Sequence, residues 1–577
     1  MDGLMMNRPL KIADILTFAA QNHGRAEVVS VRCEGDIHRQ SYAELARRTA
    51  QLAHGLREQG VMPGDRVATL AWNGYRHLEL YYAISGIGAV CHTINPRLSP
   101  EQMLYILNHA GDTLLFIDLT FVPLIAKLAP DLPDDLRICV MTDRAHMPDT
   151  TPDTTPDATP GATPGDAGDT SLVSHHEDKT EVGDPPLCYE DLLTGQPDSI
   201  DWPDFPEETA AGLCYTSGTT GNPKGVLYSH RSTVLHALTL SLSLPDVLRP
   251  GRRILPVVPL FHVNAWGLPY TALLTGASLV FPGPALDGKS LFDLMDREKV
   301  YSAWGVPTVW MGLLAQIKDE GRLPEGFKDV VIGGSAAPRR MIEAFEDQGV
   351  NVCHAWGMTE MSPVGTQGNL PEHLDQQPRD ARIEAKSGQG RRIFGVEMKL
   401  LDEDGNRQPH DGTATGELYV RGNSVVSGYF DNEAASISAF DAEGWFGTGD
   451  VARIDADGFV TITDRSKDMI KSGGEWISSL DLENAIMSHP GVANCAVIAV
   501  PHPKWDERPL LVVVPAEASA PDKQELLDRL DGTFARWQVP DDVVFVKELP
   551  LTATGKVSKL TLRQTFADYT LPDTAQR

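Results

Sequence analysis

The 577-residue chain is short of cationic side chains: 50 Lys and Arg stand against 79 Asp and Glu, a formal net charge of −29. A surface of that sign repels phosphates, which excludes a general nucleic-acid binder or a protein held on anionic membranes by charge. Cysteine is scarce as well, with 7 residues scattered from Cys33 to Cys495 and no Cys-x-x-Cys pair. That pattern suggests neither a zinc site nor a disulfide framework. Long apolar runs are also missing. The most apolar region, 255–286, is interrupted by Pro256, Pro259, His262, Asn264, Pro269 and Pro282. A lipid-spanning helix needs about 20 predominantly apolar residues, so this region reads as buried strand, turn and helix pieces. The N-terminus MDGLMMNRPL has no basic stretch followed by an apolar core, so a signal peptide is not expected. A soluble protein in a reducing, cytoplasmic setting is the expectation.

What is present is an ordinary core-forming composition, 42% hydrophobic and 22% charged, at a length that predicts about three to five folding units. One stretch departs from it. Thr151–Asp166 reads TPDTTPDATPGATPGD and the polar, acidic character continues to about Pro186. With almost no large apolar side chains it cannot bury enough surface to offset ordering entropy, so roughly 145–186 is expected to be a disordered surface insertion.

Elsewhere helical and strand patterns alternate, which predicts α/β layers with largely parallel sheets. Ser41–Gln59 carries apolar positions at helical spacing behind a Ser-x-x-Glu capping box, and short strands are expected at Arg66–Leu70 and Thr113–Ile117. From Gly416 the runs GELYVRG and DGFVTITDR read as antiparallel strands. Beyond Asp464 a small α+β unit is predicted, with helix Ser479–His489, strands Ala493–Val500 and Leu510–Pro515, and helix Lys523–Ala535. The expected fold is therefore α/β, with a large N-terminal region (1–464) of layered sheets and a β-rich subdomain, and a small α+β C-terminal domain (465–577).

The strongest local signal is Tyr215–Val226, YTSGTTGNPKGV. Glycines let backbone approach a ligand, while Thr216, Ser217, Thr219, Thr220, Lys224 and the backbone N–H groups offer donors to phosphate oxygens. It is not a P-loop, because Lys224 follows Pro223 and precedes Gly225 instead of standing between Gly and Ser or Thr. The Rossmann G-x-G-x-x-G spacing also fails across Gly218–Gly225.

TSGTTGNPKG resembles the signature loop of the adenylate-forming (acyl-CoA synthetase, AMP-binding) superfamily, and further motifs of that family follow in its order. They are GGSAAP at 333–338, HAWGMTE at 354–360, GWFGTGD at 444–450, DRSKDMIKSGGEWIS at 464–478 and PLTATGKVSK at 550–559. FHVNAWG at 261–267, SGGEWIS and PHPKWDERP at 501–509 are most similar to medium- and long-chain fatty-acid–CoA ligases, with methylmercaptopropionate–CoA ligases as close neighbours. The resemblance implies activation of a carboxylic acid by ATP to acyl-AMP, then transfer to coenzyme A, in a homodimer without nucleic-acid or transmembrane partners.

Residue by residue, the resemblance implies that Thr216 and Glu360 hold Mg²⁺, and that Thr216, Glu360 and Lys556 are catalytic. Nucleotide would be met by Thr216–Gly221 (Thr216, Ser217, Gly218, Thr219, Thr220, Gly221), Lys224, Gly334, Ser335, Ala336, His354, Ala355, Trp356, Gly357, Thr359, Asp450, Arg465, Lys467, Lys471, Trp476 and Lys556. Trp356 stands where the family usually has Tyr and would stack on adenine. Asp450, after an expected turn at Gly447–Gly449, would accept the ribose hydroxyls. Lys467 marks the hinge of a mobile C-terminal domain that alternates between the two half-reactions. Ser472, Gly473 and Gly474 would line the CoA site, and His262, Val263 and Trp266 the acyl site, with Trp266 as a gate. A carrier protein in place of CoA, or a short-chain or thioether acid in place of a fatty acid, stays open on the residues alone, as does a nucleotide-binding scaffold without catalysis.

Overall fold

Strand Leu114–Ile117 (LLFI) is apolar at every position, as a strand covered on both faces must be, and it sits inside a seven-stranded sheet. The computed structural model describes residues 1, 3–148, 185–216, 222–516, 521–552 and 556–572. Most of the expected insertion (149–184), the loop residues Ser217–Gly221 and the run Ala553–Gly555 lie outside them. The start of the expected insertion is ordered: Arg144–His146 is a 3-10 turn capped by Asp143, whose side chain accepts from the Ala145 N–H.

The described residues form two units. The first comprises Met1–Leu286, Asp293–Tyr301 and Tyr429–Asp431; the second comprises Asp287–Phe292, Ser302–Gly428 and Asn432–Arg577.

In the first unit the sheet runs Leu187–Cys188, Arg137–Val140, Leu114–Ile117, Arg66–Leu70, Val90–Thr93, Ala210–Tyr215, Gly225–Ser229, and every pair is parallel except the last. Helix Tyr42–Glu58 opens on the expected box: the Glu44 N–H donates to Ser41 Oγ (3.2 Å) and the Ser41 N–H to Glu44 Oε2 (2.8 Å). A second box, Ser99 with Gln102, opens helix Pro100–Ala110, which stops at Gly111 in the left-handed region. The apolar region resolves into strand Arg253–Pro256, a 3-10 turn at Val263–Gly267, helix Leu268–Thr275 and strand Ser278–Phe281. Strand Ser278–Phe281 is parallel to both Arg253–Pro256 and Glu27–Val31.

This unit also buries charge in pairs. Glu79, fully enclosed, accepts from Arg48 Nε (2.7 Å), Gln40 Nε2 (3.1 Å) and the Tyr189 hydroxyl (2.7 Å). Arg76 spans Glu190 (2.9 Å) and Glu34 (2.6 Å). Such pairs offset the cost of removing ions from water only when their remaining donors and acceptors are satisfied, as these largely are.

In the second unit, strands Ser302–Gly305, Asp329–Ile332 and Asn351–His354 are parallel. The run from 416 is antiparallel as expected, and it starts earlier than expected: Val396–Leu401, Thr415–Gly422, Phe446–Ile454 and Val460–Arg465 pair in sequence order. Here the expected turn at Gly447–Gly449 is corrected: these residues lie within strand Phe446–Ile454. Tyr419 pairs with Gly447 and Glu417 with Val451, so the strand bulges between them, with Gly449 at φ 70°. Helix Ser479–Met487 and the long hairpin Val492–His502/Asp506–Pro515 follow. The helix expected at Lys523–Ala535 ends at Leu530, because Asp531 is extended and Gly532 is left-handed.

Candidate active site

In the first unit, strand Ala210–Tyr215 delivers Thr216 to the mouth of the glycine-rich loop. The Thr216 N–H donates to the Lys224 carbonyl (2.9 Å) and the Lys224 N–H to Thr216 Oγ1 (3.3 Å), so the two ends of the loop are pinched together. Ser217, Gly218, Thr219, Thr220 and Gly221, expected to meet phosphate, fall outside the described residues. Lys224 Nζ lies 4.8 Å from the centre of the Tyr429 ring, a contact the sequence reading missed. The neighbouring Phe430 N–H donates to Gly225 (2.8 Å), and a Cβ on Gly225 would stand 3.1 Å from that of Phe430. A glycine at 225 is what lets the Tyr429 segment close over the lysine.

His262, Val263 and Trp266 sit at an unusual turn. Val263, Asn264, Ala265 and Trp266 have φ of 42°, 52°, 45° and 57°, followed by Gly267 at 81°. L-residues in this region cost on the order of 1–2 kcal/mol each, so the turn persists only because its surroundings over-determine it. Asn264 Oδ1 accepts from the Tyr81 hydroxyl (3.1 Å) and from Cys214 Sγ (3.5 Å). Gly267 packs so closely on His236 that a Cβ would meet its ring at 2.8 Å. Cys214 lies two residues before Thr216, so the turn is braced against the strand that feeds the phosphate loop. Val263 and Trp266 are buried and His262 is half-buried.

The second unit gathers the remaining expected residues. Gly334 (φ 81°), Ser335 and Ala336 form an open loop after strand Asp329–Ile332. His354 is buried beneath it: Nδ1 donates to the Ser387 carbonyl (3.1 Å), which leaves Nε2 to accept from the Ala337 N–H (3.2 Å). Burial pushes its pKa down to about 4, so this neutral ring supports the loop. The Ala355 N–H donates to Ile332 (2.8 Å), tying the two motifs together. Gly357 has no room for a side chain, since a Cβ would lie 2.1 Å from the Pro363 carbonyl oxygen. Thr359 and Glu360 occupy a buried 3-10 turn, Thr359–Met361, and the Glu360 carbonyl accepts from Val426 (2.8 Å).

Asp450 is lifted by the bulge, where the Asp450 N–H donates to Thr448 Oγ1 (3.1 Å) and the Thr448 hydroxyl to Leu418 (2.8 Å). Arg465 Nε reaches Asp450 Oδ1 at 2.7 Å, and Trp356 Nε1 donates to Asp450 Oδ2 at 2.8 Å. The charged groups acting on the Lys556 ammonium are Arg465, Asp450, Glu360 and Lys467. Burial, followed by the field of Arg465, lowers its pKa to about 8. Its backbone is fixed by Thr552, whose N–H donates to the Lys556 carbonyl (2.7 Å) and whose hydroxyl accepts from the Lys556 N–H (3.2 Å). Lys467 is likewise pushed below the usual lysine range, by burial foremost.

The loop expected to serve nucleotide and CoA in turn lies at the edge of the small sheet. Lys471 Nζ stands 4.8 Å over the Trp476 ring, whose indole N–H donates to Glu403. Ser472 is buried and its hydroxyl accepts from Arg508 (3.1 Å). Gly473 and Gly474 are left-handed at φ 61° and 91°. Sequence reading also missed Lys559, which donates to Ser479 Oγ (2.6 Å) and pairs with Glu483 (2.7 Å). Asp464 accepts from that same Ser479 hydroxyl (2.6 Å), so Lys559 is linked to the residue preceding Arg465.

Among the described residues no three His, Cys, Asp or Glu side chains gather as metal ligands, and no helix is long and apolar enough to cross a membrane. Mg²⁺ is a hard cation that takes oxygen ligands, keeps several waters and draws the rest of its shell from substrate phosphates, and the buried Glu360 carboxylate is a donor of that kind.

Comparison with known proteins covers nearly the whole chain. Residues 16–430 match the AMP-binding enzyme family and 481–556 its C-terminal domain. The 3-methylmercaptopropionyl-CoA ligase of Ruegeria pomeroyi is 48% identical over 98% of this chain and 99% of its own. The medium-chain-fatty-acid–CoA ligase of Ectopseudomonas oleovorans is 46% identical over 99% and 98%. A crystal structure of the anthranilate CoA ligase AuaEII in complex with anthranoyl-AMP superposes with TM-score 0.81 at 24% identity, covering 98% of this chain and 99% of that one.

Proposed function

This chain belongs to the AMP-binding enzyme family, and from that premise we propose that it activates medium- to long-chain fatty acids at the site assembled around Lys556. It is an AMP-forming acid–thiol ligase. Its reaction uses ATP, Mg²⁺ and CoA, passing through an acyl-adenylate and releasing AMP and pyrophosphate. The observation that carries the assignment of the site is the field at the Lys556 ammonium, to which Arg465, Asp450 and Glu360 all contribute.

In this reading the carboxylate and the α-phosphate repel as they approach, and Lys556 supplies the compensating charge. A point charge on a flexible stem suits an in-line displacement that lasts only as long as the transition state. Lys224 and the glycine-rich loop bind the outer phosphates, Asp450 accepts the ribose hydroxyls, and the walls 334–336 and 354–357 flank the base. Glu360 and Thr216 would hold Mg²⁺, which would supply neutralisation of phosphate charge. His262, Val263 and Trp266 border the acid, while Ser472–Gly474 and Lys471 belong to the thioester-forming face. A cytoplasmic homodimer is part of the same proposal.

A thioether acid is the second reading, favoured by the 48% identity to a 3-methylmercaptopropionyl-CoA ligase. Pyrophosphate release over straight-chain acids from two to eighteen carbons, with 3-methylmercaptopropionate alongside, separates the two. A kcat/KM maximum at medium to long chains supports the proposal, and a maximum at the thioether acid replaces it. The lysine is tested separately. Lys556→Ala is expected to lower acyl-AMP formation by at least about 10²-fold, the scale of losing one transition-state charge contact. Thioester formation from supplied acyl-AMP should change little, and equal loss of both half-reactions would contradict the assignment.

A further inference from the structure

Trp356 lies 94 positions before Asp450 on the short strand Trp356–Gly357, and its ring is pinned at both ends. Its backbone N–H donates to Thr366 Oγ1 (3.1 Å), and the six-membered ring presses on Gly365, where a Cβ would meet it at 2.9 Å. At the other end the indole N–H donates to Asp450 Oδ2 at 2.8 Å. The Asp450 side chain is only 4% exposed, whereas Arg465 on its other oxygen is 45% exposed. Solvent screens the arginine, so the half-buried indole is the better-shielded donor that fixes which way the carboxylate faces. A Phe at this position would keep the ring and lose the donor.

We infer that Trp356 is a positioning residue for ribose recognition: its indole N–H orients Asp450 so that the carboxylate accepts the nucleotide hydroxyls, in addition to any stacking of the ring on the base. The inference rests on the nucleotide site proposed above. Each carboxylate oxygen keeps a second lone pair, so a hydroxyl can donate to Oδ2 without displacing the indole. The base wall and the ribose acceptor are thereby one rigid piece, and the carboxylate does not reorganise when nucleotide binds.

The test is Trp356→Phe assayed with ATP, 2′-deoxyATP and 3′-deoxyATP. A hydrogen bond to a charged group contributes on the order of 1.5–3 kcal/mol, or about 10- to 100-fold. The variant should therefore raise the KM for ATP by about tenfold or more while kcat changes by less than about threefold. With at least one deoxynucleotide that rise should shrink to within about threefold, because the hydroxyl the carboxylate was held for is gone. Trp356→His, which keeps a ring N–H, should recover part of the loss.

An equal KM rise with all three nucleotides assigns the ring to base stacking alone and overturns the inference, as does an unchanged KM for ATP. If Trp356→Phe does not fold, Asp450→Asn carries the test in nucleotide-free protein. One of the ten indole N–H resonances should then move upfield as its charged acceptor becomes neutral, and ten unmoved signals overturn the inference. Wild-type enzyme without ATP–pyrophosphate exchange on any acid would instead refute the proposed function, leaving the hydrogen bond to be read by the resonance.

Discussion

Lys556 carries its charge at a cost that depends on pH. A free lysine titrates at 10.5, and burial with a second contribution from Arg465 brings this one to about 8. The folded state therefore gives up a proton between about pH 8 and 10.5 that the unfolded chain retains, so the penalty this group places on stability is lifted as pH rises through that window. On the role proposed for Lys556, activity runs the other way, because adenylation would need the ammonium. The kcat/KM for ATP in acyl-AMP formation, which reports the free enzyme, should fall through a midpoint near pH 8. Thioester formation from supplied acyl-AMP should lack that limb. A rate sustained to pH 10 would show that the ammonium is not the group required. His354 is the contrast: it titrates near pH 4 with both nitrogens engaged, so it contributes no limb near neutrality.

At the scale of elements, the helix Lys559–Thr565 fastens the Lys556 loop to the segment that follows Arg465, at Asp468, Ser479 and Glu483. Lys559 pairs with Glu483 and donates to Ser479, and Arg563 pairs with Asp468 at 2.9 Å. Burial alone would push the Lys559 pKa down, yet Glu483 and Asp464 hold it above the ordinary value. Replacing it by Met leaves Glu483 enclosed without its counter-ion, a change expected to cost about 3–5 kcal/mol. Urea unfolding of Lys559→Met should show this as a lower midpoint, while Lys559→Arg should lose much less. None of that network was legible in the sequence, because its members lie up to 95 positions apart. The Ser41–Glu44 box was legible because it closes within one turn. GWFGTGD misread as a turn for the same reason in reverse: whether Gly449 turns or bulges is decided by pairing with Thr415–Gly422, not by its neighbours. Four left-handed L-residues at Val263–Trp266 contradict local preference outright, so only packing could reveal them.

For the whole molecule, a net charge of −29 must coexist with two polyanionic substrates. The groups proposed to receive them, Lys224, Arg465, Lys467, Lys471 and Lys556, are few and short-ranged, while the repulsion acts over a Debye length of about 30 Å at 10 mM salt and about 10 Å at 100 mM. Moderate salt should therefore help capture: kcat/KM for CoA is expected to rise on the order of twofold between 10 and 100 mM KCl. A steady decline over that range would mean that local attraction dominates even at a distance. The motif order made the large architecture readable in advance, since each motif ends one strand or opens one loop. The packing between them was not, and it is side-chain packing between two separate sheets that joins Trp356 to Asp450.

The turn at Val263–Gly267 has a consequence for anyone wishing to retailor the acid specificity. Asn264 is tied to Tyr81 and to Cys214, on the strand that leads into Thr216. If the turn borders the acid as proposed, libraries that randomise all of it will trade nucleotide handling against acyl choice at Asn264. On that proposal, keeping Asn264 and Gly267 constant while varying Val263, Ala265 and Trp266 should uncouple the two and make chain-length preference an independently adjustable trait.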